Sequence, residues 1–274
     1  MRRFKVLLLF VITAFLNFIA VDSFAGRNSI IIKGSTTVLP IAQWAAEKFM
    51  DKNPGVDISV QGGGSGVGIA SVIDGTCDIG NASRSIKDKE LNKAVAMGKD
   101  PTANVIAMDG IAVVVHPSNS IGSLTLEQVK AIYTGKISYW SEVGGSSKKI
   151  VVLSRDSSSG TFETFNKLAL KKAKVRPDAL MQASNQAVAT IVTKTPGAIG
   201  YIGLGFISSK VKGLILDGVE PSKETVLSGE YPVSRPLFMY TNGKPKGVIK
   251  KFIDFILSRE GQKLVEEVGY VGLI

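Results

Sequence analysis

Short apolar runs alternate along the chain with longer stretches of helical periodicity. Ile30-Ile31-Ile32, Val56 to Val60, Asp78-Ile79-Gly80 and Ile150-Val151-Val152-Leu153 have the length and composition of buried strands. Apolar positions three and four apart predict helices at Ile41 to Asp51, Val67 to Ile73, Asp88 to Met97, Leu126 to Tyr133, Thr161 to Leu170, Asn185 to Lys194 and Lys246 to Val268. In the last of these Val248, Phe252, Phe255, Ile256, Leu264 and Val265 mark a core-facing stripe. Strands that alternate with helices in this way predict an α/β protein, its parallel sheets covered by helices on both faces.

Two segments break the alternation. Asp109 to His116 and Tyr231 to Thr241 are extended and apolar without an intervening helix signal, as expected of strands that cross between two lobes. Two such crossings make a hinge, and a hinge between α/β lobes makes a cleft. The expected lobes are 26–113 with 236–274, and 114–235 inserted between them.

The first 25 residues read as a cleavable secretory leader. Arg2, Arg3 and Lys5 precede an apolar run from Val6 to Val21, and Ser23 and Ala25 supply a small-residue cleavage site. An uncleaved anchor is the rival, since the run is near the shortest that spans a bilayer. No Cys lies near the cut to accept a lipid, so a protein exported to the periplasm is expected.

Composition removes several kinds of chemistry. The chain has one cysteine, Cys77, and one histidine, His116, so neither an internal disulfide nor a zinc site of the usual Cys/His kind can be built. A Ser-His-Asp hydrolase would need His116, which precedes the turn Pro117-Ser118-Asn119, and no G-x-S-x-G elbow is present. Lys and Arg number 33 against 23 Asp and Glu, and loss of the leader leaves a net charge of about +8. Such a balance steers anions toward the protein. The basic residues are scattered and aromatics are sparse, which argues against nucleic acid as a partner.

Four strands run into clusters of Gly, Ser and Thr ahead of a helix or turn: Gly34-Ser35-Thr36-Thr37, Gly62-Gly63-Gly64-Ser65-Gly66, Asn81-Ala82-Ser83-Arg84-Ser85 and Ser154-Arg155-Asp156-Ser157-Ser158-Ser159-Gly160-Thr161. One such cluster is ordinary capping and turn chemistry. Four aimed at one point would surround an oxyanion with backbone N–H groups, helix dipoles and hydroxyl donors.

In this order the clusters, with Asp109-Gly110-Ile111-Ala112 and Tyr231-Pro232-Val233-Ser234-Arg235-Pro236-Leu237, resemble the phosphate-binding proteins of bacterial ABC importers, a branch of the periplasmic binding-protein superfamily. The resemblance covers nearly the whole mature chain. It implies a type II, two-lobed binding protein, each lobe a mostly parallel sheet flanked by helices, with the ligand cleft between the lobes. It implies a monomer that captures inorganic phosphate, uses no cofactor or metal, catalyses no reaction, and serves a membrane permease and its ATPase.

Carried onto this chain, the resemblance implies that the Thr36 hydroxyl and the Thr37 amide meet the anion. Ser65 would do so from the second helix, Arg155 would supply the full positive charge, and Ser159, Gly160 and Thr161 would form the far wall. Ser35, Ser83 and Arg84 complete the expected set. Many members place an Asp after the third strand to accept the proton of hydrogen phosphate; here Ser83 stands there, followed by Arg84. Asp109 is the expected substitute acceptor and Asp156 the second choice, although Asp156 could pair with Arg155. The departure keeps sulfate, molybdate or tungstate open as the ligand. Separately, a phosphate sensor of the same fold and a secreted hydrolase are the alternative roles.

Overall fold

The computed structural model describes residues 28–274, so the predicted leader and its cleavage after Ala25 lie outside the described residues. In chain order the elements are β1 (Ser29–Gly34), α1 (Leu39–Lys52), β2 (Asp57–Gly62), α2 (Ser65–Ile73), β3 (Ile79–Ala82), α3 (Asp88–Ala96) and β4 (Pro101–Val115). Next come β5 (Ser123–Leu124), α4 (Leu126–Thr134), β6 (Val151–Arg155), α5 (Gly160–Leu168), β7 (Leu180–Gln182), α6 (Asn185–Val192) and β8 (Ala198–Gly203). The chain ends with β9 (Lys212–Gly213), β10 (Ile215–Leu216), α7 (Lys223–Leu227), β11 (Ser234–Asn242), α8 (Gly247–Leu257) and α9 (Arg259–Glu267).

The main strands lie in the order β2-β1-β3-β11-β4-β8-β6-β7, with β9 also on β4. The strands followed by helices run parallel within each half: β1 with β2 and β3, and β6 with β7 and β8. β4 and β11 are antiparallel to their neighbours. β4 holds the halves together by changing partner. Its first part, to Gly110, pairs with β11, and from Ile111 to Val115 it pairs with β8. The first crossing therefore begins at Pro101, eight residues before the expected start, because half-exposed Thr102 and Asn104 conceal a strand whose partner is remote in sequence.

Each half has its own apolar interior. Ile30 and Ile32 alternate inward on β1 and meet Ile41, Ala42, Ala45, Ala46 and Phe49 of α1, with Leu237, Met239 and Phe252 from the end of the chain. Pro40 fits α1 because the first helical turn has no use for its missing N–H. α2 covers the opposite face with Ile69, Val72 and Ile73. In the other half Tyr133, Phe165 and Tyr201 pack together, the last two stacked with centroids 4.0 Å apart.

The apolar stripe from Lys246 to Val268 is two helices, not the single one expected. Ser258 between them is extended, with ψ of 163°, and its Oγ caps α9 by accepting from the Gly261 N–H at 3.2 Å. Gly261 lies against the carbonyls of Phe255 and Ile256 too closely for any Cβ. An apolar pattern that continues across such a corner gives no sign of it. Among the described residues no helix is long and apolar enough to cross a membrane.

Candidate anion-binding site

The Gly/Ser/Thr clusters gather where the carboxyl ends of the parallel strands face the crossing, the usual place for a ligand in an open α/β sheet. β1 ends at Gly34 with φ of 130°, and a Cβ there would lie 2.7 Å from the Gly68 Cα, so only glycine lets α2 pass this closely. The chain then turns through Ser35, Thr36 and Thr37 into α1.

Ser35 shapes this turn. Its N–H donates to the Asn81 carbonyl at 2.8 Å, and its Oγ accepts from the Thr37 N–H at 3.2 Å and the Val38 N–H at 3.4 Å. The Thr37 amide, expected to meet the anion, is thus turned toward Ser35. The Thr37 hydroxyl enters the cluster in its place, 2.9 Å from the Thr161 hydroxyl at the start of α5.

Ser65 opens α2, and its Oγ accepts from the Ser83 N–H at 2.9 Å and lies 3.2 Å from the Ser83 Oγ. Both serines press on the first turn of α5: a Cβ at Gly160 would collide with Ser65 Oγ and come within 2.7 Å of Ser83 Oγ. Ser159 caps α5, its Oγ accepting from the Phe162 N–H at 3.2 Å. The structure thus brings Ser35, Thr36, Thr37, Ser65, Ser83, Ser159, Gly160 and Thr161 to one place from distant parts of the chain.

Arg155, the last residue of β6, is 1% exposed. Its Nε donates to the Gln182 carbonyl at 2.9 Å, and its Nη2 to the Ala183 carbonyl at 3.0 Å and the Thr36 hydroxyl at 3.3 Å. Among the described residues its Nη1 has no hydrogen-bond partner. Burial pushes the pKa of the guanidinium down, while Tyr201 and Asp156 oppose that shift. The conceivable ion pair between Asp156 and Arg155 is not formed: Asp156 Oδ1 accepts the Ser158 N–H at 2.8 Å and the Ser158 hydroxyl at 2.5 Å.

Asp109 has a different surrounding from the one expected of a proton acceptor. It lies on β4 directly opposite Arg235 of β11 and is fully buried. Oδ2 receives Nε of Arg235 at 3.1 Å and Nη2 at 2.9 Å, and Oδ1 receives the Leu204 N–H at 3.0 Å. Burial raises the pKa of Asp109 and lowers that of Arg235, and each ion opposes the shift of the other.

Arg84 is held away from the hydroxyl cluster. Its Nη1 and Nη2 fork onto Glu90 at 2.8 and 2.7 Å, and Nε lies 3.0 Å from Glu163 of α5, which also receives Lys87 at 2.7 Å. The capping glutamate of α3 and a carboxylate of the opposite half thus claim the charge that follows Ser83 in sequence.

Two residues that sequence reasoning did not nominate sit at the centre. Arg235 extends Nη2 to the hydroxyls of Thr37 at 3.2 Å and Thr161 at 3.0 Å, and Nη1 to the Ser83 carbonyl at 3.1 Å. Asn185, first residue of α6 and fully buried, donates Nδ2 to the Thr37 hydroxyl at 2.9 Å and the Thr36 hydroxyl at 3.4 Å. A charge within the apolar strand that ends Leu237-Phe238-Met239-Tyr240 was the available sign for Arg235, since a charge is buried only with partners. Asn185 gave none, because a polar residue at a helix start is commonplace.

The sequence model of the PBP superfamily domain matches residues 23–260. The phosphate-binding protein PstS of Bacillus subtilis is 35% identical, the match covering 99% of this chain and 95% of that protein. That of Pseudomonas aeruginosa is 32% identical, covering 88% of this chain and 81% of that one. Among solved structures, a candidate phosphate ABC transporter substrate-binding protein of Clostridium perfringens with bound phosphate has a TM-score of 0.84 and 36% identity, covering 90% of this chain and all of that one. An ABC-type phosphate transport receptor of Vibrio cholerae has a TM-score of 0.72 and 33% identity, covering 88% and 99%. The chain belongs to the PBP superfamily and, within it, to the PstS phosphate-binding proteins.

Proposed function

We propose that the protein captures inorganic phosphate outside the cytoplasmic membrane and hands it to the permease and ATPase of an ABC importer. The observation that carries this reading is Arg155, a buried guanidinium that among the described residues has no carboxylate partner and an unsatisfied Nη1, with Nη2 on the Thr36 hydroxyl. Leaving such a charge uncompensated costs several kcal/mol, and a tetrahedral oxyanion supplies both the counter-charge and the acceptors for a planar fork of donors. Arg155, Arg235 and Asp109 together carry one net positive charge. Sulfate would satisfy the same charge; the PstS relatives and the phosphate bound in the Clostridium perfringens structure favour phosphate. Capture and release make and break no covalent bond.

Thr36, Thr37, Arg155, Gly160 and Thr161 form the proposed contact set, with Ser65, Ser83 and Ser159 as its walls and Ser35, Asp109 and Arg84 as supports. The lobes are taken as 26–113 with 236–274, and 114–235, with Ile111, Ala112, Val113 and Val271 of the first reaching into the apolar interior of the second. The halves meet in a closed arrangement: the Gly66 N–H donates to the Ser158 carbonyl at 2.9 Å, and the Ser158 Oγ, its hydrogen on Asp156, lies 3.2 Å from the Gly63 carbonyl. Glu163 adds a latch on Arg84 and Lys87. Closure stabilised by the ligand in this way would distinguish the loaded protein for the permease.

Titration calorimetry of the ligand-stripped mature protein with phosphate and then sulfate tests the function. Tight phosphate binding is expected, and no heat from either anion would reject the reading. Glu163→Gln should loosen the latch without touching the anion, weakening affinity about three- to tenfold. The loss should fall on the dissociation rate and shrink in high salt, as stopped-flow release into a phosphate scavenger would report.

A further inference from the structure

An oxyanion that keeps a proton needs donors and, besides them, one group able to receive that proton. Donors are abundant around Arg155, since a guanidinium has no acceptor and Asn185 turns Nδ2 toward Thr36 and Thr37. Acceptors are scarce. Both oxygens of Asp109 are engaged by Arg235 and the Leu204 amide, and Asp156 Oδ1 is taken by Ser158. Thr36 Oγ1 already receives Arg155 and Asn185, which fills its two lone pairs. Thr37 Oγ1 and Thr161 Oγ1 lie 3.2 and 3.0 Å from Arg235 Nη2, and a cation that close repels the positive end of any further donor.

Ser65 and Ser83 are placed differently. Both are buried, their hydroxyl oxygens lie 3.2 Å apart, and among the described residues no cation is bonded to either hydroxyl. Together they hold two hydroxyl hydrogens, and one of these is spent across the contact. Ser65 Oγ also receives the Ser83 N–H at 2.9 Å. With Ser83 as the donor of the pair, both lone pairs of Ser65 are filled and its own hydrogen is free for a ligand oxygen. Ser83 Oγ then keeps two open lone pairs, and every hydrogen of the pair has been used once. Ser83 is pinned on both sides, its N–H on Ser65 and its carbonyl under Arg235 Nη1 at 3.1 Å. Both oxygens face Gly160, where a Cβ would collide with them, so no side chain separates them from the start of α5.

We propose that Ser83 receives the proton of the bound hydrogen phosphate and that Ser65 is its paired donor, the two serines matching one P–O–H and one bare oxygen of the ligand. The proposal rests on the phosphate reading above. Sulfate has no hydrogen to offer Ser83. It fits only if Ser83 turns its hydroxyl from Ser65 to the ligand, and the bond between the serines is then lost. A neutral hydroxyl can make that turn, whereas a carboxylate has no hydrogen to turn and repels the anion. The serine therefore disfavours sulfate to a modest degree and does not shut it out.

The test is the ratio of phosphate to sulfate affinity at about pH 8.5, above the second ionisation of phosphoryl groups, where both anions carry two charges and differ by one proton. Calorimetry on the full mature protein should show the parent preferring phosphate by at least about tenfold. Ser83→Ala keeps the N–H on Ser65 and removes the acceptor, so phosphate should weaken about tenfold with little change in sulfate. Ser83→Asp installs a fixed negative charge and should weaken sulfate at least about a hundredfold more than phosphate; it provides the reading if the alanine variant does not fold. Thr161→Val should weaken both anions alike. A parent that does not distinguish the anions, a Ser83→Ala ratio equal to that of the parent, or a ratio that collapses in Thr161→Val instead overturns the acceptor assignment and leaves phosphate capture standing. A parent that binds no phosphate overturns both.

Discussion

Arg155→Ala is expected to lower phosphate affinity about a thousandfold, close to 4 kcal/mol. The guanidinium is 1% exposed, and the carbonyls of Gln182 and Ala183 hold its Nε and Nη2 so that Nη1 stays free. Without it a closed cleft would bury an anion against Arg235 alone, whose charge Asp109 already balances. Arg155→Lys should recover only part of the loss, because an ammonium cannot hold two carbonyls and still present a fork to the ligand. Calorimetry on both variants, with thermal melting to confirm the fold, checks the order. An Arg155→Ala protein that binds phosphate like the parent would remove the site from this cleft.

The same residue shows what can be read from a sequence and what cannot. Arg155 stands beside Ser159, Gly160 and Thr161 in one short segment, so a charge, a cap and a helix start appear together without knowledge of the fold. β1 and α1 were equally legible, since the run Ile30-Ile31-Ile32 has the composition of a buried strand and the apolar stripe of α1 a period near four. Arg235 and Asn185 were not. Their partners lie 198 and 148 residues away on Thr37, and no local pattern records such a meeting. Arg84 illustrates the opposite difficulty: its place after Ser83 suggested a ligand role, yet Glu90, six residues on, was a visible counter-charge. Its other partner, Glu163, depends on how the halves close. The corner at Ser258 was hidden because an apolar stripe constrains which face is buried and not the direction in which the chain continues.

The pairing of Asp109 with Arg235 permits stability and binding to be separated. Arg235→Met leaves a fully buried carboxylate with the Leu204 amide as its remaining partner and should cost about 3–5 kcal/mol in urea unfolding. In that variant burial, opposed only by the Leu204 amide, holds the pKa of Asp109 above the unfolded value, so the folded state binds the proton more tightly. The deficit should therefore shrink as pH falls and deepen as pH rises. The double substitution Arg235→Met with Asp109→Leu removes both buried ions and should come back to within about 1 kcal/mol of the parent, because the desolvation of the pair disappears with its attraction. Phosphate affinity should not come back with it. Thr37 and Thr161 would still lack the donor that orients them, and about a tenfold deficit should persist in calorimetry. If the double variant regains both stability and affinity, Arg235 serves only to neutralise Asp109; if it regains stability alone, the fold tolerates the loss of this ion pair and the binding site does not.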